Sequence, residues 1–498
     1  MVLKTNTPEN LGIPSDAIQR YIEHLEQRKL CLHSFMILRR GEIAAEGYYP
    51  PFGPDTLHRM YSQSKTFVSV AIGLLMDEGK LKPTDKVADF FPEYQPADMH
   101  EFVAGMTVGD LLMMATAYDW TTYGKDDKNW VWTFLNREPS HKGGTVFLYD
   151  TSGTVMLNGI VEKLTKKSLL DYMRPKLLDH LGFSEGAWCI ERPEGGAWGG
   201  SGVICSTHDM AKFALFLQNG GKWGEKQLLS EDYVKQATSA KIDNRLSTSS
   251  PELQFGYGYQ IWRTRNNGFA MVGMGSQLTV CVPDRDLIFL NTADTQIIPH
   301  ANDIILDAFW TDVYPRIAEG NEVLPENGEA FKNLKNKLGN LEFLPVEGNP
   351  TSEMSRNLYS GKKYALGKNR MGISEAQFVF EGGKGTMKYR NATGNHEIDF
   401  GICRYECGEF PETHYFGKKI GVPRGSGYRY KASGAWFDRD TLAIYLYIID
   451  DYFGTLKINV KFDSEENGIT LSMSKVAEWF LDEYDGIAVG KLCRDGQN

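Results

Sequence analysis

The order in which strand-like and helix-like hydrophobic patterns follow one another most constrains the fold of this chain. Residues 33–49 alternate apolar and polar side chains around a charged turn, Arg39-Arg40-Gly41-Glu42, as a β-hairpin would. Residues 60–219 change to helical spacing, and residues 256–293 return to strand-like segments separated by turns. This order predicts one α/β (α+β) domain, in which distant parts of the chain complete one sheet and a helical region is inserted between them.

The length of the chain predicts more than one domain, because 498 residues exceed what one ordinary hydrophobic core holds. The segment 321–341 contains an acidic stretch followed by a short helical pattern, which indicates a linker. Beyond it apolar and polar residues alternate, most clearly at 456–462. We predict a first domain at 1–320, a linker with a short helix at 321–341, and a small β-rich domain, a sheet or a barrel, at 342–498.

Charge and hydropathy exclude several kinds of partner. The chain has 54 Lys and Arg against 64 Asp and Glu, a net charge of -10 without a long basic block, so nucleic acid is not an expected partner. It lacks the run of about 18 apolar residues that a membrane helix needs, and its first residues lack the apolar core of a secretory signal. We expect a soluble, cytoplasmic protein that acts on a small molecule; its oligomeric state stays open.

Cysteine and histidine spacing gives no sign of a metal site. The seven cysteines are scattered and odd in number, which is typical of reduced thiols. Only Cys403 and Cys407 are close together, and no second pair follows at the spacing of a zinc site. The ten histidines are dispersed, and His396-Glu397 lacks the second histidine of a His-Glu-x-x-His zinc hydrolase. We expect neither a metal nor another cofactor.

A Ser-x-x-Lys pattern, which can place an amine beside a hydroxyl, begins at Ser62, at Ser360 and at Ser472. Ser472 lies in an alternating segment predicted to be a strand, where residues three apart face opposite sides, and Ser360 lies in a Gly-Lys-Lys loop. Ser62 alone opens an apolar segment with helical spacing, predicted to form a helix over 60–81. The context therefore favours Ser62.

On such a helix Ser62 and Lys65 share one face, so that a Lys65 amine held in a dry pocket could be neutral and accept the Ser62 proton. The free N–H groups at the helix N-terminus would stabilise the negative charge that develops on an attacked carbonyl oxygen. The pattern alone leaves a second interpretation open. In that interpretation Ser62 and Ser64 cap the helix, and Lys65 is a solvated charge.

Several further segments within residues 8–315 carry a more specific pattern. In chain order they are Met60-Tyr61-Ser62-Gln63-Ser64-Lys65, Met106-Thr107-Val108-Gly109-Asp110-Leu111-Leu112, Phe147-Leu148-Tyr149-Asp150-Thr151, Gly200-Ser201-Gly202-Val203 with Ser206-Thr207-His208-Asp209-Met210-Ala211, and Gly273-Met274-Gly275-Ser276-Gln277. Together they resemble the serine β-lactamase and penicillin-binding-protein superfamily, especially its class C-like branch of esterases and D-aminopeptidases. The resemblance implies a β-lactamase-like domain with an antiparallel sheet flanked by helices and a helical subdomain.

The resemblance also implies a serine hydrolase that forms an acyl-enzyme on an ester, an amide or a short peptide. By the family pattern Ser62 is the nucleophile, and Lys65 and Tyr149 carry its proton. The oxyanion is expected between the backbone N–H groups of Ser62 and Gln277.

Two departures from the family pattern concern the substrate pocket. Met274-Gly275-Ser276 stands where relatives usually have Lys-Thr-Gly or His-x-Gly, and Thr151 replaces the usual Asn. A thioether does not attract an anion, so we expect penicillins and other carboxylate-bearing substrates to be poor ones. Trp198 and Tyr257 are expected beside Met274, in a pocket that suits an uncharged or apolar group.

One alternative belongs to another class of function: a penicillin-binding-like fold that has lost catalysis and serves as a binding or regulatory module. The presence of serine, lysine and tyrosine together favours an enzyme over that module. An α/β-hydrolase is excluded, because the sequence has no Gly-x-Ser-x-Gly string.

Overall fold

The chain divides into two compact units, Met1–Glu342 and Phe343–Asn498. The computed structural model describes residues 3–349, 353–411, 428–450 and 452–493. The segment 321–341, predicted as a linker with a short helix, lies within the first unit.

The described part of the first unit contains helices α1–α12 and strands β1–β11. The helices are α1 (Ser15–Gln27), α2 (Ser64–Asp77), α3 (Glu101–Gly105), α4 (Val108–Leu112), α5 (Trp130–Asn136), α6 (Thr151–Thr165), α7 (Leu169–Met173), α8 (Asp179–Leu181), α9 (Thr207–Gln218), α10 (Glu231–Ala237), α11 (Ala301–Asp312) and α12 (Gly328–Gly339). The strands are β1 (Leu32–Arg39), β2 (Glu42–Tyr48), β3 (His58–Arg59), β4 (Trp188–Cys189), β5 (Val203–Cys205), β6 (Lys222–Trp223), β7 (Lys226–Gln227), β8 (Trp262–Arg263), β9 (Phe269–Gly273), β10 (Gln277–Val282) and β11 (Leu287–Ala293). None of the helices in the described residues is long and apolar enough to cross a membrane.

Six described strands form the antiparallel sheet of this unit, in the order β2-β1-β11-β10-β9-β8. The predicted hairpin is β1–β2, which turns at Arg40 (φ 56°) and Gly41 (φ 75°). β1 pairs with β11 so that Phe35 stands opposite Asn291. Residues far apart in the sequence therefore complete one sheet, which confirms the predicted fold class.

Helices cover both faces of this sheet. Phe289 of β11 stacks on Phe309 of α11, with ring centroids 3.9 Å apart. The neighbouring Ile288 pairs with Cys281, whose Sγ lies 3.8 Å from the carbonyl O of Ala214 in α9. Because successive strand residues point to opposite faces, α11 and α9 pack on opposite sides of the sheet.

α2 lies at the centre of the first unit. The structure begins it at Ser64 rather than at residue 60, after a short 3-10 turn at Tyr61–Gln63. All of its residues from Ser64 to Leu75 are buried, and it packs against α6 and α7. α4 and α5 pack on α6 in turn, so these helices form the predicted inserted helical region.

The described residues of the second unit form a β-barrel and one short helix, α13 (Glu353–Tyr359). Its described strands are β12 (Lys363–Leu366), β13 (Glu375–Glu381), β14 (Lys384–Asn391), β15 (Gly394–Ile402), β16 (Glu406–Phe410), β17 (Tyr428–Trp436), β18 (Thr441–Ile449), β19 (Phe453–Asp463), β20 (Gly468–Val476) and β21 (Gly486–Leu492). They follow the order β15-β14-β13-β12-β21-β20-β19-β18-β17-β16, and β15 also pairs in parallel with β17. That pairing closes the sheet on itself, which confirms the β-rich C-terminal architecture.

The prediction of strand-like segments within 256–293 is wrong at the start of that range. Its first segment, residues 257–262, does not form a continuous strand, and β8 comprises only Trp262 and Arg263. Gln260 has a left-handed φ of 59° and Gly256 a φ of 96°. Both values lie outside the extended region, so the chain turns there instead of running straight.

Candidate active site

Ser62 and Lys65 lie together where α2 begins. Lys65 Nζ is 2.9 Å from Ser62 Oγ and 2.7 Å from the carbonyl O of Gly200. Lys65 is 1% exposed, which contradicts the interpretation of a solvated charge at the end of a capped helix. An amine is thus held within hydrogen-bonding reach of a serine hydroxyl, as proton abstraction requires.

The turn that carries Ser62 is fixed on both sides. Tyr61 adopts a left-handed φ of 47°, a conformation that costs energy in a residue other than glycine. The side-chain oxygen of Gln63 accepts a hydrogen bond of 2.8 Å from the Thr279 hydroxyl of β10. The fold therefore holds Ser62 in a short 3-10 turn ahead of the α-helix, against the central sheet.

Tyr149 completes the group around the Ser62 hydroxyl. Its ring centroid lies 5.1 Å from Lys65 Nζ, which itself is 2.9 Å from Ser62 Oγ. The ring stacks on Trp262 at 5.3 Å and meets Tyr257 edge-on at 6.5 Å. Burial of the phenol raises the pKa of Tyr149 above its usual value, and the nearby Ser62 hydroxyl opposes that shift. The structure thus brings Ser62, Lys65 and Tyr149 together.

Asp150 anchors the segment that presents Tyr149, a role that the sequence motifs did not indicate. Its carboxylate caps α6 by accepting hydrogen bonds from the Ser152 N–H (2.8 Å) and hydroxyl (2.5 Å), and another from the Thr116 hydroxyl (3.0 Å). Burial raises the pKa of Asp150, while these bonds hold the charged form. An Asp directly ahead of Thr-Ser at a helix start is an N-cap signal that was available in the sequence.

Gly200 is a second residue of the centre whose role the sequence motifs did not indicate. Its carbonyl accepts the Lys65 hydrogen bond of 2.7 Å. A Cβ at Gly200 would come within 2.6 Å of Thr151 Cγ2, so a larger residue would push the segment around Gly200 away from α6. Thr151, predicted as a pocket residue, therefore packs directly behind the Lys65 acceptor.

The turn between β9 and β10 lies beside the Ser62 turn, as the predicted oxyanion site requires. Gln277 begins β10 and pairs with Gly273 of β9. A Cβ at Gly273 would come within 2.3 Å of the carbonyl O of Met60, so only glycine allows this approach. The side-chain amide of Gln277 donates to the carbonyls of Met274 (2.9 Å) and Ala293 (2.7 Å), which fixes the turn.

The other three predicted residues of this turn differ in what they present. Met274 is 39% exposed. Gly275 and Ser276 have left-handed φ values of 76° and 65°. The Ser276 hydroxyl is buried and bonds to Thr295 Oγ1 (2.6 Å) and Asn302 Oδ1 (2.7 Å). The side chain available to solvent is therefore that of Met274, a thioether without charge.

Trp198 and Tyr257 are both buried. Tyr257, 1% exposed, packs edge-on against Tyr149 and so supports the centre directly. Trp198, 2% exposed, meets Trp130 edge-on at 5.3 Å and faces the Arg59 guanidinium at 5.0 Å. Trp198 thus packs in the interior rather than forming a wall of a solvent-facing pocket.

The chemistry at this centre is that of a hydroxyl, an amine and a phenol. Within the described ranges, no three side chains of His, Cys, Asp or Glu are grouped so that they could hold a metal ion. The arrangement suits nucleophilic attack by Ser62 with proton transfer through Lys65 and Tyr149.

Comparison with known proteins supports the resemblance drawn from the motifs. A sequence model of the Beta-lactamase family matches residues 18–296, which include every one of these groups. The 6-aminohexanoate-dimer hydrolase of Paenarthrobacter ureafaciens is 25% identical over 296 residues, which make up 54% of this chain and 74% of that protein. The crystal structure of SurE with D-Leu has a TM-score of 0.50 at 14% identity, covering 96% of this chain and 99% of its own, a likeness of fold.

Proposed function

The chain belongs to the Beta-lactamase family, and on that premise we propose that Ser62 attacks the carbonyl carbon of an ester or amide to give an acyl-enzyme. The chain is a serine hydrolase of the esterase or amidase type. What carries the choice of Ser62 is the buried Lys65 amine, 2.9 Å from the Ser62 hydroxyl. The proposed hydrolase domain comprises residues 1–320, which contain all of these groups.

The proton route follows from the state of Tyr149. Because burial raises the pKa of Tyr149 above its usual value of 10, its phenol keeps its proton at neutral pH. Lys65 is then the group that takes the proton as Ser62 Oγ bonds to the carbonyl carbon. As the bond from carbon to the departing alcohol or amine breaks, Tyr149 gives its proton to the leaving group and takes the one that Lys65 accepted, so both groups return to their starting states. Water then attacks the acyl carbon and gives a proton to Lys65, and Tyr149, reprotonated by Lys65, returns a proton to Ser62 Oγ as the acid leaves.

The oxyanion of each tetrahedral intermediate is proposed to bind between the backbone N–H groups of Ser62 and Gln277. The approach of Gly273 to the carbonyl of Met60 supports this placement, because it brings the start of β10 next to the Ser62 turn. The N-terminus of α2 adds favourable dipoles on the same side.

The uncharged Met274 leads to a prediction about substrates. A substrate carboxylate buried beside a thioether loses its hydration without gaining a cation, so carboxylate-bearing substrates bind poorly. We expect kcat/KM for a neutral p-nitrophenyl ester to exceed that for a chromogenic cephalosporin by at least about a hundredfold, or roughly 2.7 kcal/mol. Both substrates are measured on one preparation.

Esters react faster than amides without any enzyme, so a second substrate pair is the control. It compares a neutral D-amino-acid amide with a substrate of the same residue that ends in a free carboxylate. The neutral member is expected to be turned over faster. If the carboxylate-bearing member is faster, a cation from elsewhere in the chain reaches the pocket and the proposed apolar preference is wrong.

Replacement Tyr149→Phe keeps the aromatic packing and removes the proton donor. We expect kcat to fall by at least about 100-fold while KM changes by no more than about threefold, because the phenol acts in proton transfer rather than in binding. Steady-state kinetics with a p-nitrophenyl ester measures both constants. Tyr21→Phe, which alters a buried tyrosine packed on Phe309, is the matched control and should keep the parent kcat. An unchanged kcat in the Tyr149 variant would make that residue a packing group only.

We further propose that the protein works in a reducing compartment such as the cytoplasm. No disulfide joins any of its seven cysteines, all of which lie in the described residues, and three of them, Cys31, Cys205 and Cys281, are buried. Secreted proteins of an oxidising compartment commonly use their cysteines in disulfides.

A further inference from the structure

Trp120 is exposed in a way that is unusual for a large aromatic residue of this unit. It is 73% exposed, whereas Trp130 and Trp198 are 0% and 2% exposed. It lies in the loop between α4 and α5. An exposed indole of this size forgoes the stabilisation that burial would give, and such surfaces in enzymes often mark binding sites.

The position of the Trp120 loop relative to the centre is fixed by hydrogen bonds. Two residues after Trp120, the Thr122 N–H donates to Ser152 Oγ (3.3 Å), and the Ser152 N–H donates to the Asp150 carboxylate (2.8 Å). Tyr149 directly precedes Asp150 in the chain. Since consecutive Cα atoms are only about 3.8 Å apart, these bonds hold the loop that carries Trp120 against the start of α6, next to the segment that presents Tyr149.

Backbone hydrogen bonds hold the two segments together along their length. They are Leu148 N–H to the carbonyl of Met114 (3.0 Å), Gly144 N–H to that of Ala115 (2.8 Å) and Ser140 N–H to that of Ala117 (2.9 Å). These hydrogen bonds therefore fix the loop that contains Trp120 against the segment that leads to Tyr149.

Two more exposed apolar side chains come from segments that touch the same centre. Met274, 39% exposed, follows Gly273, which approaches the Ser62 turn. Phe255, 47% exposed, lies two residues before Tyr257, whose ring contacts Tyr149. None of these side chains carries a charge.

We propose that Trp120 is a specificity-determining residue that contacts an apolar group of the substrate, in its acyl chain or in its leaving group. The preferred substrates are then esters or amides that carry an extended apolar chain beside the scissile bond. This inference rests on the proposed function and names the substrate class for the same site.

The test is a pair of substrate ratios in the Trp120→Ala variant. One ratio compares p-nitrophenyl hexanoate with p-nitrophenyl acetate, which differ only in the acyl chain. The other compares hexyl acetate with ethyl acetate, which differ only in the leaving alcohol. Each is a ratio of two kcat/KM values from one preparation, so it does not depend on the fraction of folded enzyme.

We expect Trp120→Ala to lower one of the two ratios by at least about tenfold, the effect of losing one or two methylene contacts. The ratio that falls identifies the part of the substrate that Trp120 contacts. Trp120→Phe, which keeps an apolar ring, should restore most of the preference. Trp132→Ala removes another exposed tryptophan, 50% exposed on α5, and should leave both ratios within about twofold of the parent.

Failure of this inference can be told apart from failure of the proposed function. If Ser62→Ala abolishes hydrolysis but neither ratio responds to Trp120→Ala, the inference is wrong and the proposed function stands. If hydrolysis persists in Ser62→Ala, the proposed function is wrong and the inference falls with it. Equal effects of Trp120→Ala and Trp132→Ala would also overturn the inference.

Discussion

Ser62→Ala is expected to abolish ester hydrolysis and covalent labelling together. Without the hydroxyl no acyl-enzyme can form, so kcat/KM for a p-nitrophenyl ester should fall by at least about a thousandfold. A fluorophosphonate probe, which forms a covalent adduct with an activated serine, should label the parent chain on the peptide containing Ser62 and leave the variant unlabelled. Mass spectrometry of the labelled chain identifies the modified residue.

The other two Ser-x-x-Lys sites provide matched controls for this experiment. Ser360→Ala and Ser472→Ala remove a hydroxyl from the same four-residue pattern in the second unit. Their lysines, Lys363 and Lys475, form ion pairs with carboxylates, so neither amine is available as a base. Both variants should keep parental activity and labelling. Labelling that persists in the Ser62 variant would refute the assignment of the nucleophile.

The periodicity of apolar residues correctly predicted those strands and helices whose apolar side chains mark the buried face. In β19 the residues Leu456, Ile458, Val460 and Phe462 are buried while Asn459 and the other intervening residues face outward. Such alternation is visible in the sequence because successive strand residues point to opposite faces, and the residues on the buried face are apolar.

The start of α2 could be predicted less well than its existence. Its apolar residues set the helical period, but the structure replaces the first turn by the 3-10 turn at Tyr61–Gln63. That change depends on Tyr61 adopting a left-handed φ and on the Gln63 bond to Thr279, 216 residues away. A tyrosine gives no local signal for such a conformation, whereas a glycine would have done so.

The candidate site also has a part that the sequence predicts and a part that it does not. Ser62 and Lys65 are three residues apart, so helical geometry alone brings them together. Gly200 is 135 residues from Lys65, and its role as the Lys65 acceptor appears only in the folded chain. Trp262 of the edge strand β8 likewise stacks on Tyr149, which is far from it in the sequence. Long-range contacts of this kind cannot be read from one sequence.

Lys65→Met tests whether the buried amine is the base. Methionine is similar in length and apolar, so α2 and its packing should remain, with thermal unfolding close to that of the parent. The loss of a base 2.9 Å from the Ser62 hydroxyl should lower the rate of acylation by about 10²–10⁴-fold, measured as the pre-steady-state burst of p-nitrophenol or as the rate of fluorophosphonate labelling.

Lys80→Met is the control: it removes an exposed lysine just after the same helix, ion-paired to Glu78 at 2.8 Å, and should change neither rate. An acylation rate within a few-fold of the parent in the Lys65 variant would mean that another group takes the Ser62 proton. Tyr149 would then be the remaining candidate of the three grouped residues, and its raised pKa predicts that such a route works only at alkaline pH.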